Sequence, residues 1–539
     1  MNRQQRAIAI AVLPPPVKST TEKERKSNSF HRMFPLLLLT LYALASVVRL
    51  ACSSPFPSSF VQASASSSTF SAESRQESES LKTHVPSETH HLEAYEENPV
   101  AAAPPCSSFI DGTAASTDEA AAAFVCCDRS HIRSDLCYAR GDIRTDFASS
   151  SVLVYGLKSS AERIRPYTRK WDATITRTIQ EISIRPGNGS GGSQKGCDVR
   201  HEGVPALLFS NGGYTGNLYH EFSDGLIPLY VTAQRFRGEV VLVVAEYRPW
   251  WFARYRPLLE RLTNYQVVDF RRDRRVHCFS EMIVGLRIHG ELIIDPWLMP
   301  NGNGIRDFQA LVHEGYNAVA QSRPSPPAAE SPPFLRPLVR STRREPPGRC
   351  SRCRRPRIAV FVRKRSRVLV NQRELVRACQ RTGFDVQIIE PKRDTPLDVI
   401  HRALVPADAM LAVHGAAVTH FLFMRPSSVL IQVVPLGLEK PAEEFYGEPA
   451  RRLGMEYVAY NITPEESTLL KLYDRRSPVL VNTNLITNRG WLEMKKIYLD
   501  KQNVKLNLTR FGKLLAKTYS HVCGAGLHEE LNDTEHIIL

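Results

Sequence analysis

No Gly-x-Ser-x-Gly elbow occurs in the 539 residues, which removes the serine turn on which α/β hydrolases are built. Cysteine is sparse. Eleven in a chain of this length do not make a disulfide-dense scaffold, although several should pair in an oxidising compartment, and an odd total leaves at least one thiol free or intermolecular. Cys350-x-x-Cys353 lacks a second pair at zinc spacing, so the metal signal there is weak. Acidic side chains are the minority, 55 against 70 Lys and Arg, for a net charge of +15. That balance suits polyanions, acidic lipids or phosphate-bearing substrates equally well.

Long apolar runs are scarce as well. The run MFPLLLLTLYALASVV has sixteen uncharged residues before Arg49, and residues 1–32 ahead of it carry seven Lys or Arg against two Glu. Sixteen is short for a typical bilayer but tolerable in the thinner membranes of the secretory pathway. The upstream charge would hold 1–32 in the cytosol as a basic tail and send everything after the 33–49 segment into the lumen. An uncleaved signal anchor is favoured over a cleaved signal peptide because the basic tail is long. Residues 50–124 are Ser- and Ala-rich and cannot bury enough apolar surface to fold, so they read as a disordered stem. Four sequons, at Asn188, Asn461, Asn507 and Asn532, agree with a lumenal, glycosylated chain. A lumenal location argues against nucleic acid as the partner of the positive charge.

The folded part begins near Cys126, where Cys126, Cys127 and Cys137 cluster. VPALLF (204–209), EVVLVV (239–244) and YQVVDF (265–270) read as buried strands, with a helical pattern from Leu218 to Phe236 between the first two. Residues 321–356 are rich in proline and arginine and read as a linker without structure of its own. The alternation then restarts with strands at 357–362, 385–390, 409–413 and 428–434, and helices at 372–383 and 396–404. The expected architecture is therefore α/β, with two doubly wound, Rossmann-like units (125–320 and 357–520) facing a cleft, and a tail at 521–539.

Chemistry concentrates at the strand ends. His414 and Gly415 follow a strand directly, and Gly415 with Ala416 would let a ligand approach the backbone at the start of a helix. Arg363, Lys364, Arg365 and Arg367 follow the first strand of the same unit, where arginine can grip a diphosphate in fork geometry. In the first unit a glycine-rich turn, Gly212, Gly213, Tyr214, Gly216 and Asn217, precedes a helix on which His220 and Asp224 lie one turn apart. A histidine with an orienting carboxylate can serve as a base.

On CDRSHIRSDLCYARGDIRTD, GGYTGNLYHEFSDGLIPLY, HCFSEMIVGL, VRKRSRVLVN, HGAAVTH, VLIQVVPLG and KQNVKLNLTRF, in that order, the chain resembles the plant members of glycosyltransferase family 61. That group includes xylan arabinosyltransferases and xylosyltransferases. The resemblance implies a single-pass type II Golgi protein of the two-domain GT-B arrangement. It further implies inverting, metal-independent transfer of xylose or arabinose from a UDP-sugar to a xylan-like polysaccharide, with no obligatory cofactor. The absence of an Asp-x-Asp motif is in keeping with this. By the same resemblance Arg363, Arg367 and Asn371 meet the diphosphate, His414 and Gly415 flank the nucleotide, and His220 or Asp224 is the base. The family's His-Gly-Ala-Gly-Leu-Thr-Asn reads here His-Gly-Ala-Ala-Val-Thr-His, with Ala417, Val418 and His420 as the departures. Those departures support an alternative, a lumenal sugar-binding or scaffold subunit that has lost catalysis. A secreted hydrolase using His220 and Asp224 is a further alternative.

Overall fold

The computed structural model describes residues 105–112, 122–187, 196–322, 334–342 and 355–524. The expected tail, anchor span 33–49, most of the stem, Asn188 and Asn532 lie outside them. Among the described residues no helix is long and apolar enough to cross a membrane.

Two sheets carry the chain. The first holds β1 (Phe124–Asp128), β2 (Leu136–Asp146), β3 (Ser151–Tyr155), β4 (Glu162–Ile164), β5 (Ile182–Pro186), β6 (Val199–Arg200), β7 (Ala206–Phe209), β8 (Val241–Val244), β9 (Val268–Asp269) and β10 (His277–Val284). Its main path runs β4-β5-β3-β2-β10-β7-β8-β9. The parallel run expected from the alternation exists at β10, β7, β8 and β9. The other part differs from a doubly wound sheet: β1, β3 and β10 pair antiparallel with β2. Period and hydrophobicity mark a strand but not the direction of its neighbour, which is why the antiparallel flank did not show in the sequence.

The second sheet holds β11 (Arg357–Phe361), β12 (Asp385–Ile389), β13 (Ala409–Val413), β14 (Val429–Val434) and β15 (Glu456–Asn461), ordered β12-β11-β13-β14-β15 and parallel throughout. This is the doubly wound order 2-1-3-4-5, whose direction of winding reverses between β11 and β13. Ligands of such sheets bind at that reversal, beyond the carboxyl ends of the strands. Strand β13, Ala-Met-Leu-Ala-Val, is buried at every position, as a strand covered on both faces must be.

Three apolar layers hold the sheets. One core covers the outer face of the first sheet through Val152, Ile184 and Val241, and another covers the outer face of the second through Ile358, Leu375 and Ile431. The third is shared. It runs from Leu207, Phe209 and Leu242 through Phe222 and Phe308 to Phe361, Met410 and Phe421. The helix Ile305–Ser322 helps to close it. Its buried Gln309 donates to the carbonyls of Leu422 (3.2 Å) and Met424 (2.8 Å) across the boundary.

Two segments expected to lack structure have some. Cys106–Asp111 in the stem is a helix, bonded by disulfide to Cys126 and stacked through Phe109 on Tyr138 with ring centroids 5.6 Å apart. Part of the linker adds to the second sheet, where Leu335 and Val339 form antiparallel bridges to Ile389 and Val386. In both cases partners distant in sequence supply the burial that local composition does not. Two further disulfides, Cys127–Cys137 and Cys197–Cys278, close the first half, while Cys379 and Cys523 are buried thiols.

His420 lies inside this core and not at the mouth of the β13 loop. Its ring stacks on Phe361 (5.2 Å between centroids), its Nδ1 bonds the Ala417 carbonyl at 2.8 Å, and its Nε2 is buried without a partner. Burial holds it down to about 4, as it holds His401, and burial with the nearby Arg367 and Arg363 holds His414 down to about 3. Between pH 6.5 and those values the unfolded chain takes up protons that the folded chain refuses, so stability falls as pH drops through that window. Each such ring contributes a slope of about 1.4 kcal/mol per pH unit. Thermal unfolding followed from pH 7 to 4.5 should show a falling midpoint, with a shallower fall in His420→Asn.

Candidate active site

The first component grows from the helix that follows the glycine-rich turn. Asn217 caps it, its side chain accepting from the Tyr219 amide at 3.1 Å. The helix then widens into a π turn at Glu221–Leu226 before resuming at Ile227–Ala233. Such one-turn π bulges occur often at functional sites, because they shift the side-chain register out of the regular ladder. Here the bulge buries Asp224 to 1% exposure and leaves the His220 side chain 17% exposed, with its Nδ1 at 2.8 Å from the carboxylate.

Asp224 is fully engaged. It accepts from Arg169 Nε at 2.6 Å and from the Tyr167 hydroxyl at 3.3 Å, pairs with Arg133 at 3.5 Å, and its carbonyl accepts from Thr168 at 2.7 Å. Burial would raise this carboxyl, but the His220 ring and the Arg169 guanidinium outweigh it and hold the pKa below the usual range. A carboxylate accepts only, so the His220 nitrogen facing it carries a proton, and in the neutral ring the far nitrogen, Nε2, keeps a free lone pair. That geometry makes His220 the group able to take a proton and Asp224 the group that orients it. Tyr214 lies against the imidazole, with centroids 4.4 Å apart, and its hydroxyl donates to Asp172 at 2.9 Å. Gly213 has φ +55°, and a methyl group there would run into the Tyr167 ring.

Several members of this cluster had no signal in the sequence. Glu291 pairs with Arg133 at 2.9 Å and accepts from Ser223 at 2.8 Å and from the Tyr219 hydroxyl. Trp171 is half exposed beside it, with Arg133 and Arg169 over its ring at 4.7 and 5.2 Å. Arg133 sits inside a motif that the sequence did single out, but its partners Asp224 and Glu291 lie far along the chain. Asn211, at the carboxyl end of β7, is a buried amide with neither Oδ1 nor Nδ2 partnered among the described residues.

The second component lies at the winding reversal of the second sheet. Arg363 and Arg367 follow β11, while His414 and Gly415 follow β13. Arg363 Nε donates to the Ser366 carbonyl at 3.1 Å, and Arg367 Nη1 donates to the His414 carbonyl at 3.1 Å. Neither guanidinium has a carboxylate partner among the described residues, and Arg367 Nε is buried without a partner. Burial lowers the affinity of both for protons, and with the like charge of Arg363 it brings Arg367 down to about 9. Two desolvated cations without a counter-ion favour an anion between them. Gly415, at φ +139° and ψ 176°, begins the 3₁₀ helix Ala416–Phe423, and a methyl group there would collide with Arg363 and Arg367. His414 is held neutral and bonded through Nδ1 to Gln432 Nε2 at 2.8 Å.

Asn371 has another task. Its amide donates to the Leu506 carbonyl at 2.8 Å and accepts from the Leu506 amide at 3.0 Å, so it braces the 503–507 segment beside the arginines. Among the remaining sequons, Asn507 caps the helix Leu508–Cys523 with its side-chain oxygen, and Asn461 ends β15 half buried.

Aromatic rings join the two components. Tyr219 touches His220 (5.2 Å) and Tyr446 (5.7 Å), and Tyr446 touches His414 (5.5 Å). Side-chain contacts thus run from His220 to His414, whose backbone carbonyl accepts from Arg367.

The fold is α/β, with an anion-ready edge on the second sheet and a carboxylate-oriented histidine on the helix after β7. Residues 218–431 match the family described as Glycosyltransferase 61. The chain is 45% identical over 404 residues to the xylan glycosyltransferase MUCI21 of Arabidopsis thaliana, covering 74% of this chain and 79% of that protein. It is 36% identical over 411 residues to the β-1,2-xylosyltransferase XYXT1 of Oryza sativa subsp. japonica, covering 72% and 83%. It is 32% identical over 401 residues to the α-1,3-arabinosyltransferase XAT3 of the same rice, covering 74% and 65%. The chain belongs to glycosyltransferase family 61.

Proposed function

We propose that this protein is an inverting glycosyltransferase that moves a pentose, xylose or arabinose, from a UDP-sugar to a xylan-type cell-wall polysaccharide. Supporting the acceptor are the relatives named for xylan, xylosyl and arabinosyl transfer. They differ among themselves in the pentose and the linkage, and this chain's choice is left to experiment. In the mechanism, His220 Nε2 takes the proton of an acceptor hydroxyl. The oxygen attacks the anomeric carbon as the bond from that carbon to the diphosphate oxygen breaks. UDP leaves with the electron pair, and Arg363 and Arg367 meet its charge. Transfer is a single displacement without an obligatory metal, so activity should survive a chelator.

The observation that carries this reading is the arginine pair at the winding reversal, without a carboxylate counter-ion among the described residues. It lies beside His414, from which Tyr446 and Tyr219 run to the oriented His220. The scaffold-subunit alternative rested on the altered loop, yet His420 is turned into the core and Val418 is buried with it. Two of the three altered residues therefore pack the interior, while Ala417 stays half buried at the start of the 3₁₀ helix. A Golgi, type II, glycosylated protein is part of the proposal, supported by the three disulfides and the basic tail before residues 33–49.

The test is incubation of the full-length protein with a panel of UDP-sugars and xylan oligosaccharides, with product masses and anomeric configuration measured. A gain of one pentose with inversion is expected. Release of UDP without any glycosylated product would overturn the reading. Gly415→Ala gives a finer check. Its backbone region is essentially glycine-only, so about 1–3 kcal/mol of stability should be lost in urea unfolding. UDP affinity, read by calorimetry, should fall with it because the two guanidiniums are displaced.

A further inference from the structure

A cavity of about 1120 Å³ has none of the His220–Asp224 cluster in its lining and is absorbed by no step above. Three elements form its walls: the helix Pro249–Leu259, the helix Ile305–Ser322, and the 393–398 turn beyond the carboxyl end of β12. Its volume exceeds the roughly 300–1,000 Å³ of ordinary small-molecule sites. A single sugar would not fill it.

The lining is of a particular kind. Trp250 is 39% exposed although its neighbour Trp251 is buried, and the Arg393 guanidinium lies 5.3 Å from the centre of its ring. Arg254 donates to the Arg393 carbonyl at 2.6 Å, while its Nε is buried without a partner. The Tyr316 hydroxyl is also buried and unpartnered, on a residue only 1% exposed. Both atoms lie behind the cavity wall, closed off from solvent. The basic lining residues Arg254, Arg256 and Arg393 are matched by Glu260, Asp394 and Asp398, so the wall carries no excess charge to select an acidic ligand.

An exposed aromatic face beside planar guanidinium and carboxylate groups suits the alternating C–H faces and vicinal hydroxyls of sugar rings. One lining side chain also reaches the turn beside the candidate active site. Arg393, which lies over Trp250, reaches the backbone of Gly216 so closely that a methyl group there would collide with it. Gly216 belongs to the same turn as Tyr214, which stacks on His220.

We propose that this cavity is a subsite for the acceptor polysaccharide, holding several sugar rings of an uncharged backbone beyond the ring that reacts, with Trp250 as its stacking platform. It rests on the reading of the acceptor as a xylan-type chain. The subsite makes the enzyme sensitive to acceptor length, because only a long chain reaches from His220 past Gly216 to Trp250.

The test uses the full-length protein and unbranched xylo-oligosaccharides of two to ten residues, with Trp250→Ala and Trp250→Phe beside the wild type. In wild type, kcat/KM should rise with length by about tenfold, the equivalent of one well-placed ring contact of about 1.4 kcal/mol. In Trp250→Ala that rise should be lost through KM, and Trp250→Phe should restore most of it. Retardation of each variant in xylan-containing native gels is measured in parallel. Transfer by wild type with the same length dependence and the same retardation in Trp250→Ala would overturn the subsite and leave the proposed function standing. Retardation that depends on Trp250 in a protein that transfers no pentose would support the subsite and overturn the proposed function.

Discussion

His220→Ala is expected to lower pentose transfer by about a hundredfold to ten-thousandfold, the range that a positioned general base supplies. The loss should fall on kcat, since the imidazole acts on the proton that leaves during the bond-forming step. Asp224 cannot replace it. The carboxylate is 1% exposed and already bonded to Arg169, Arg133 and Tyr167, so no face of it is turned to a substrate. His220→Gln should be as inactive as alanine while keeping a donor toward Asp224, which separates loss of the base from loss of packing under Tyr214. Transfer assays at saturating acceptor, with circular dichroism to confirm the fold, check both variants. Retention of wild-type kcat by His220→Gln would remove His220 from the chemistry.

Arg363→Ala is expected to cost about a hundredfold to a thousandfold in kcat, typical of removing one donor aimed at developing charge. The charge builds on the departing diphosphate, so the acceptor KM should change far less than kcat. Arg363→Lys should recover little of the loss, because a point charge on a flexible stem does not reproduce the planar fork. Arg367 will show a second effect. Its Nη1 also holds the His414 carbonyl at 3.1 Å, so Arg367→Ala should loosen the β13 loop and lower stability as well as rate. Initial rates against both substrates, with unfolding curves for each variant, separate the two roles.

Much of this arrangement was legible in the sequence for a physical reason. A strand buried on both faces must be continuously apolar, and a helix packed on it must repeat every three to four residues. Hence the strands at 357–361, 409–413 and 429–434 and the helical stretch 218–236 could be located almost to their ends. The positions of Arg363, His414 and Gly415 at strand ends, and of His220 on the helix after β7, followed from the same pattern. The π turn at Glu221–Leu226 was not legible, because apolar residues every three or four positions are compatible with either ladder. Partners brought in by the fold were also hidden: Arg133 and Arg169 reach Asp224 over 91 and 55 residues. Asn371 is assigned to the diphosphate by the family resemblance, as part of the motif that holds the arginines. Its partner Leu506 is 135 residues away, and no local pattern announces it. His420 reads as a departure from the family's loop motif, but the side that it faces is set by Phe361 on another strand.

The central claim divides the labour: cations after β11 hold the leaving diphosphate, and the histidine after β7 removes the proton. Calorimetric titration of UDP into wild type, His220→Ala and the double variant Arg363→Ala/Arg367→Ala tests that division most directly. Affinity should be unchanged in His220→Ala and at least about a hundredfold weaker, some 2.7 kcal/mol, in the double variant. Equal UDP affinity in the double variant and wild type would contradict the account.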